Sequence, residues 1–134
     1  MKFRLLDRIT GYTPNYGISV VHAVSFEEIL SVRRIGGVEA PRTFLPALAA
    51  EAAGFFYAAE SDFRLWAYLS ELEDLKINLS DPGDHWHLEL KKNGSSGMLC
   101  TGSLCGSIKL EEVELATLYD PEERRAMFKA LQRS

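Results

Sequence analysis

The sequence predicts an α+β domain in which one long apolar helix is cupped in an antiparallel sheet. Three observations carry that expectation. Residues 44–59 (FLPALAAEAAGFFYAA) are rich in Ala and Leu and apolar nearly all round. A helix of that kind must be wrapped on most sides by the rest of the protein or by a second subunit. The second half of the chain reads mostly as strand, with Trp86, Leu88 and Leu90 alternating with His85, His87, Glu89 and Lys91, the period of a half-buried strand. Turn signals punctuate it: Asp81-Pro82-Gly83-Asp84, and the hairpin loop of residues 92–97 (KNGSSG). A length of 134 residues suits one domain with one core.

Taken in order, residues 3–9 read either as a short strand or as a first helical turn, and residues 11–17 (GYTPNYG) as a turn by composition. Residues 18–25 (ISVVHAVS) are β-branched and read as a strand. Residues 26–40 read as irregular, with Gly36-Gly37 as a flexible point. For the apolar helix, Thr43 is a candidate N-cap, and Pro46 is tolerable only in the first turn. Gly54 lowers helix propensity, which suggests a close approach of another backbone. Residues 63–79 hold one long strand or two broken ones. Residues 98–106 and 107–119 supply two more, the second with Val113, Leu115 and Thr117 on one face. Pro121 then opens an amphipathic helix over residues 122–132, capped by Asp120.

Charge and composition exclude several function classes. A net charge of −4 gives no global reason to expect nucleic acid or an anionic membrane as partner. Basic residues are scattered apart from short clusters such as Arg33-Arg34 and Arg124-Arg125. The first eight residues carry charges where a signal peptide needs an apolar stretch. The apolar window is short for a membrane span and is interrupted by Glu51. Cys100 and Cys105 stand five apart, which in a regular strand puts them on opposite faces and argues against a disulfide. A reducing, cytoplasmic setting is therefore expected. His85 and His87 share a strand face but lack a third ligand, so no metal site is expected, and no redox cofactor is implied.

Several segments together resemble the 3-hydroxyacyl-(acyl carrier protein) dehydratases. Residues 1–10, with the triplet Leu6-Asp7-Arg8, resemble the family's opening, and residues 18–25 its next strand. Pro41 followed by Leu45, the run 47–50 and Ala52-Ala53-Gly54 resembles its central helix. Pro82-Gly83-Asp84 and Thr101-Gly102 match a turn and a later strand step. The resemblance covers roughly residues 1–118 and has no counterpart for the C-terminal helix.

It implies a hotdog fold, paired as a homodimer whose sheets join, with an acyl thioester bound in a tunnel at the dimer interface. The implied substrate is carried on acyl carrier protein or coenzyme A, in fatty-acid synthesis or related acyl-chain metabolism. The implied reaction is loss of water, with a loop His and a helix Glu or Asp as the general acid–base pair. At those positions this sequence has Arg33 and Ala47, and no histidine occurs between residues 23 and 84. Arginine stays protonated and cannot act as an ordinary general base. The resemblance therefore points to a dehydratase-like protein without the usual catalytic pair, acting alone or as a partner subunit of an active homologue. An active hotdog enzyme, dehydratase or thioesterase, and a structural or regulatory partner subunit without an acyl tunnel remain the alternatives.

Glu51 is the only charged residue inside the apolar helix and lies one turn after Ala47. It reads as a displaced acid or a base for thioester hydrolysis, a role that desolvation would assist by raising its pKa. The plainer reading is a carboxylate paired with an arginine or reaching solvent, and it is preferred because buried charges are usually paired. Arg33, Arg34 and Arg42 are candidates for a phosphate or for an acidic carrier surface, against the plain reading of solvated loop residues. His22 on the early strand reads as structural or exposed, with a migrated catalytic role only if it faces the tunnel. Phe44, Leu48 and Phe55 are candidate acyl-pocket residues, although core and pocket ask for the same residue types. Ser95, Ser96 and Ser103 lack the Gly-x-Ser-x-Gly setting of a nucleophile elbow.

Overall fold

A computed structural model describes residues 6–23, 39–77 and 85–133; for residues 23, 39–44 and 85 it describes the backbone alone. The elements are β1 (Arg8–Thr13), β2 (Gly17–Ala23), α1 (Glu39–Glu60), β3 (Leu65–Ile77), β4 (His85–Asn93), β5 (Gly97–Gly102), β6 (Leu104–Glu114), a 3-10 turn (Leu115–Thr117) and α2 (Pro121–Arg133). The six strands form one sheet in the order β1-β2-β4-β5-β6-β3, and every neighbouring pair is antiparallel. The protein is α+β, as its sequence pattern predicts.

Alternation along the strands gives the sheet one apolar face. Ile18 and Val20 of β2, Trp86, Leu88 and Leu90 of β4, Met98 and Cys100 of β5, and Ile108 and Leu110 of β6 are all buried. α1 lies against that face, touching β2, β3, β4 and β6 and packing most heavily on the edge strand β3. Its Leu45, Leu48, Ala49, Ala52, Ala53, Phe55, Phe56 and Ala58 are buried. α2 packs beside β1, where the Phe128 ring meets Tyr12, Phe55 and Phe63 at centroid distances of 5.6, 6.2 and 5.7 Å. Asp120 caps this helix: its Oδ1 accepts the Glu122 N–H at 3.0 Å.

The departures from the sequence reading are local. The segment 11–17 is not all turn, because β1 continues to Thr13 and only residues 14–16 turn. Tyr12 is held in the strand by packing on Phe56 and Phe128, and its hydroxyl donates to Glu60 Oε1 at 2.5 Å. The first strand begins at Arg8, and residues 1–5 lie outside the described residues.

α1 starts at Glu39, so Thr43 is inside it and is not its N-cap, and Pro46 lies beyond the first turn. A proline there removes one helical hydrogen bond. The buried positions that follow it outweigh that local loss, since tertiary packing supplies most of a helix's stability. Gly54 admits the Trp66 indole rather than another backbone: a Cβ at Gly54 would overlap that ring.

β3 is one strand, with its register interrupted between Leu69 and Glu71 and between Glu73 and Lys76. The last two strands part at Ser103, not between Gly106 and Ser107. Gly102 (φ +112°) turns the chain, and Ser103 pins it to β4: its Oγ accepts the His87 N–H at 3.1 Å, and its own N–H donates to the His87 carbonyl at 2.9 Å. β6 ends at Glu114, so Val113, Leu115 and Thr117 do not share a strand face; Leu115 is buried in the 3-10 turn and Thr117 is exposed. Cys100 and Cys105 are free, although the break at Ser103 removes the regular-strand premise. Burial pushes the Cys100 thiol up to about 12. The expected loop over residues 26–38 and the turn at Asp81–Asp84 lie outside the described residues.

Candidate functional site

α1 is not sealed on every side. Next to β3 its small side chains border an open groove of about 750 Å³. Ala47, Ala50 and Glu51 form one wall, Trp66, Ala67, Tyr68 and Leu69 of β3 another, and Glu123, Arg124, Met127 and Leu131 of α2 a third; Leu6 and Tyr119 complete the lining. The spacing explains the wall on α1. Residues 47, 50 and 51 recur at i, i+3 and i+4 and share one face of the helix, while Leu48, Ala49, Ala52 and Ala53 turn into the core. Its volume is within the range of sites for small molecules, and its walls are mostly apolar with few polar groups, the composition typical of such sites.

Three charged side chains border the groove. Glu51 is half-buried and already partnered. Glu123 is exposed at the rim. Arg124 is half-buried, with its guanidinium carbon 3.5 Å from the Tyr119 ring centroid, 5.2 Å from that of Trp66 and 5.8 Å from that of Phe55. These faces favour a cation and fix its position. The neighbouring Arg125 points elsewhere: Nη1 donates to Asp62 Oδ1 at 2.7 Å, and the guanidinium lies over Phe63. That hydrogen bond and the Arg125 charge hold the Asp62 carboxyl below its usual range. On β3, the Tyr68 hydroxyl donates to Glu111, which raises its phenol pKa.

The residues singled out in the sequence separate into groups. Ala47 and Glu51 come together in the groove wall. Leu48 and Phe55 lie in the sealed core, Phe55 packed edge-on against Trp66, and neither lines the groove. His22 is buried on β2, with Nδ1 3.4 Å from Asp7 Oδ2 and its ring 5.5 Å from that of Trp86. It is not among the groove-lining residues, none of which is a histidine. Arg33 and Arg34 lie outside the described residues. Arg42 and Phe44 fall within α1, but their side chains are outside the description. No cluster of metal-ligating side chains occurs among the described residues. No helix among them is long and apolar enough to cross a membrane.

Arg124 is the site residue that the sequence reading passed over as part of a basic cluster. The signal was present in α2: positions 124, 127, 128 and 131 share a helix face, and that face carries Met127, Phe128 and Leu131 into the interior. An arginine on the apolar face of an amphipathic helix is placed by packing rather than by solvent. No family model matches the chain, and a search of curated proteins finds no match.

Proposed function

We infer that the chain is a hotdog-fold, dehydratase-like protein that binds acyl chains in the groove beside α1 and does not catalyse dehydration. The observation that carries this reading is the placement of Ala47. The resemblance puts the family's helix carboxylate at that residue, and Ala47 lies in the wall of an apolar groove of small-molecule size. The frame of a long helix laid on a six-stranded antiparallel sheet is compatible with the fold that the resemblance implies. Dehydration of a 3-hydroxyacyl thioester needs a base for the α-proton and an acid for the leaving hydroxyl, both within reach of the substrate. The described lining has one half-buried carboxylate, Glu51, and no histidine to complement it. The ligand is an acyl thioester on acyl carrier protein or coenzyme A, and the working unit is a dimer, either of two copies or with an active homologue.

A second reading rests on Glu51, one turn from Ala47 in the same wall. As a general base it would activate water for thioester hydrolysis. One experiment separates the two readings. The protein is incubated with 3-hydroxydecanoyl and decanoyl thioesters on both carriers, and enoyl formation and free thiol are followed together. Binding without either product is expected. Enoyl formation at an enzyme-like rate would overturn the leading reading. Thiol release that disappears in Glu51→Gln would establish the second.

A further inference from the structure

Arg124 borders the groove with a cation that makes no hydrogen bond to an oxygen acceptor among the described residues. The three aromatic rings hold the guanidinium carbon at 3.5, 5.2 and 5.8 Å and accept no conventional hydrogen bond from its five N–H donors. Among the described residues one of those donors, on Nη1, meets only the Met127 thioether at 3.9 Å, a weak acceptor, and no carboxylate lies within ion-pair distance. A half-buried donor fork without strong acceptors favours any ligand that supplies them. The adjacent Arg125 shows the contrast, with carboxylates of Asp62 and Glu122 at 2.7 and 3.8 Å.

The acidic groups near Arg124 do not take this role. Glu123 is exposed at the rim, and Glu51 is engaged by another partner. The remaining lining is apolar or aromatic apart from two tyrosine hydroxyls, that of Tyr68, which donates to Glu111, and that of Tyr119. The groove thus offers an apolar trough ending on a pre-positioned planar cation. A carboxylate matches that fork in a bidentate, charge-assisted arrangement, and an alkyl chain matches the trough.

We propose that the groove also takes a carboxylated aliphatic chain, a medium-chain fatty acid or a chain-terminal carboxylate, with Arg124 as the carboxylate-recognising residue. This rests on the reading of the groove as an acyl site and adds a carboxylated ligand to the thioesters inferred for it. Recognition of the free carboxylate needs no carrier, so a simple fatty acid is a sufficient probe.

The test uses the full chain and isothermal titration at neutral pH with decanoate, 1-decanol and decyl phosphate. Decanoate is expected to bind about tenfold or more tightly than decanol, the margin of one charge-assisted hydrogen-bonded pair. Arg124→Gln should remove that margin while leaving decanol unchanged, and Arg124→Lys should restore only part of it, since a lysine keeps the charge but not the fork. Equal binding of decanoate and decanol to the unaltered protein would overturn the carboxylate assignment and leave the acyl groove standing. Decyl phosphate binding more tightly than decanoate would overturn it in favour of a phosphate ligand. Binding of none of the three would overturn the carboxylate assignment and the acyl groove together. The comparison of ligands on the unaltered protein does not depend on any variant folding.

Discussion

The two faces of α1 are built from the same residue type and behave in opposite ways. Ala49, Ala52 and Ala53 are wholly buried, and their small size brings the helix down onto the sheet. Ala47 and Ala50 are only half-buried, and their small size leaves the groove open. What differs is what stands opposite. The buried face meets the inward row of the sheet, a continuous set of larger apolar side chains. The open face meets the end of β3, where Trp66 is drawn toward Gly54 and α2 stands off with Arg124 and Met127. An alanine in a sequence marks a place where something comes close or where space is kept, and only the opposing element decides which.

Substitutions sharpen that contrast, beginning with the largest effect. Phe55→Ala removes a fully buried ring that contacts Trp66 and Phe128, and should destabilise the fold by about 3–5 kcal/mol in urea unfolding. Gly54→Val drives a branched side chain into the Trp66 indole, with an expected loss of about 1–3 kcal/mol by the same measurement. A stable Gly54→Val protein would show that the Trp66 ring is free to move out of the helix's way.

A smaller loss is expected for Asp62→Asn, which deletes the charge paired with Arg125 while keeping a residue that tolerates the left-handed backbone at φ 55°. Because Arg125 lowers the folded-state pKa of Asp62, the pair's contribution is present above the ordinary carboxylate pKa. It fades as the pH falls through the lowered value. The difference in Tm between Asp62→Asn and the unaltered chain should therefore shrink in acid, and a difference that grows there would contradict the pairing. The smallest stability change belongs to Ala50→Leu, within about 0.5 kcal/mol because its added bulk enters open space. The same substitution should block ligand entry, so it separates the open face from the sealed one.

The sequence pattern makes most of the frame legible. The inward triplet Trp86, Leu88 and Leu90 and the Asp120–Pro121 start of α2 stand where alternation and capping chemistry put them. Boundaries were less legible where a distant contact decides them. Tyr12 belongs to a strand because Phe56 and Phe128 lie beneath it, and Ser103 breaks a strand because the His87 backbone receives it. The site was half legible. Ala47 and Glu51 fall together from helical spacing alone, whereas Leu48 and Phe55 have the composition of a pocket but the packing of a core. Arg124 is hidden in the sequence because with its neighbour Arg125 it forms one of the short basic clusters. Only the aromatic rings of α1, β3 and the segment leading into α2 reveal what holds it.

The most direct test of the groove as an acyl site is fluorescence titration with decanoyl-coenzyme A in a Trp86→Phe background, where Trp66 in the groove wall is the sole tryptophan reporter. The account predicts a saturable change in Trp66 emission that is lost when Ala50→Leu is added. A flat titration in the Trp86→Phe protein, or an unchanged response after Ala50→Leu, would contradict it.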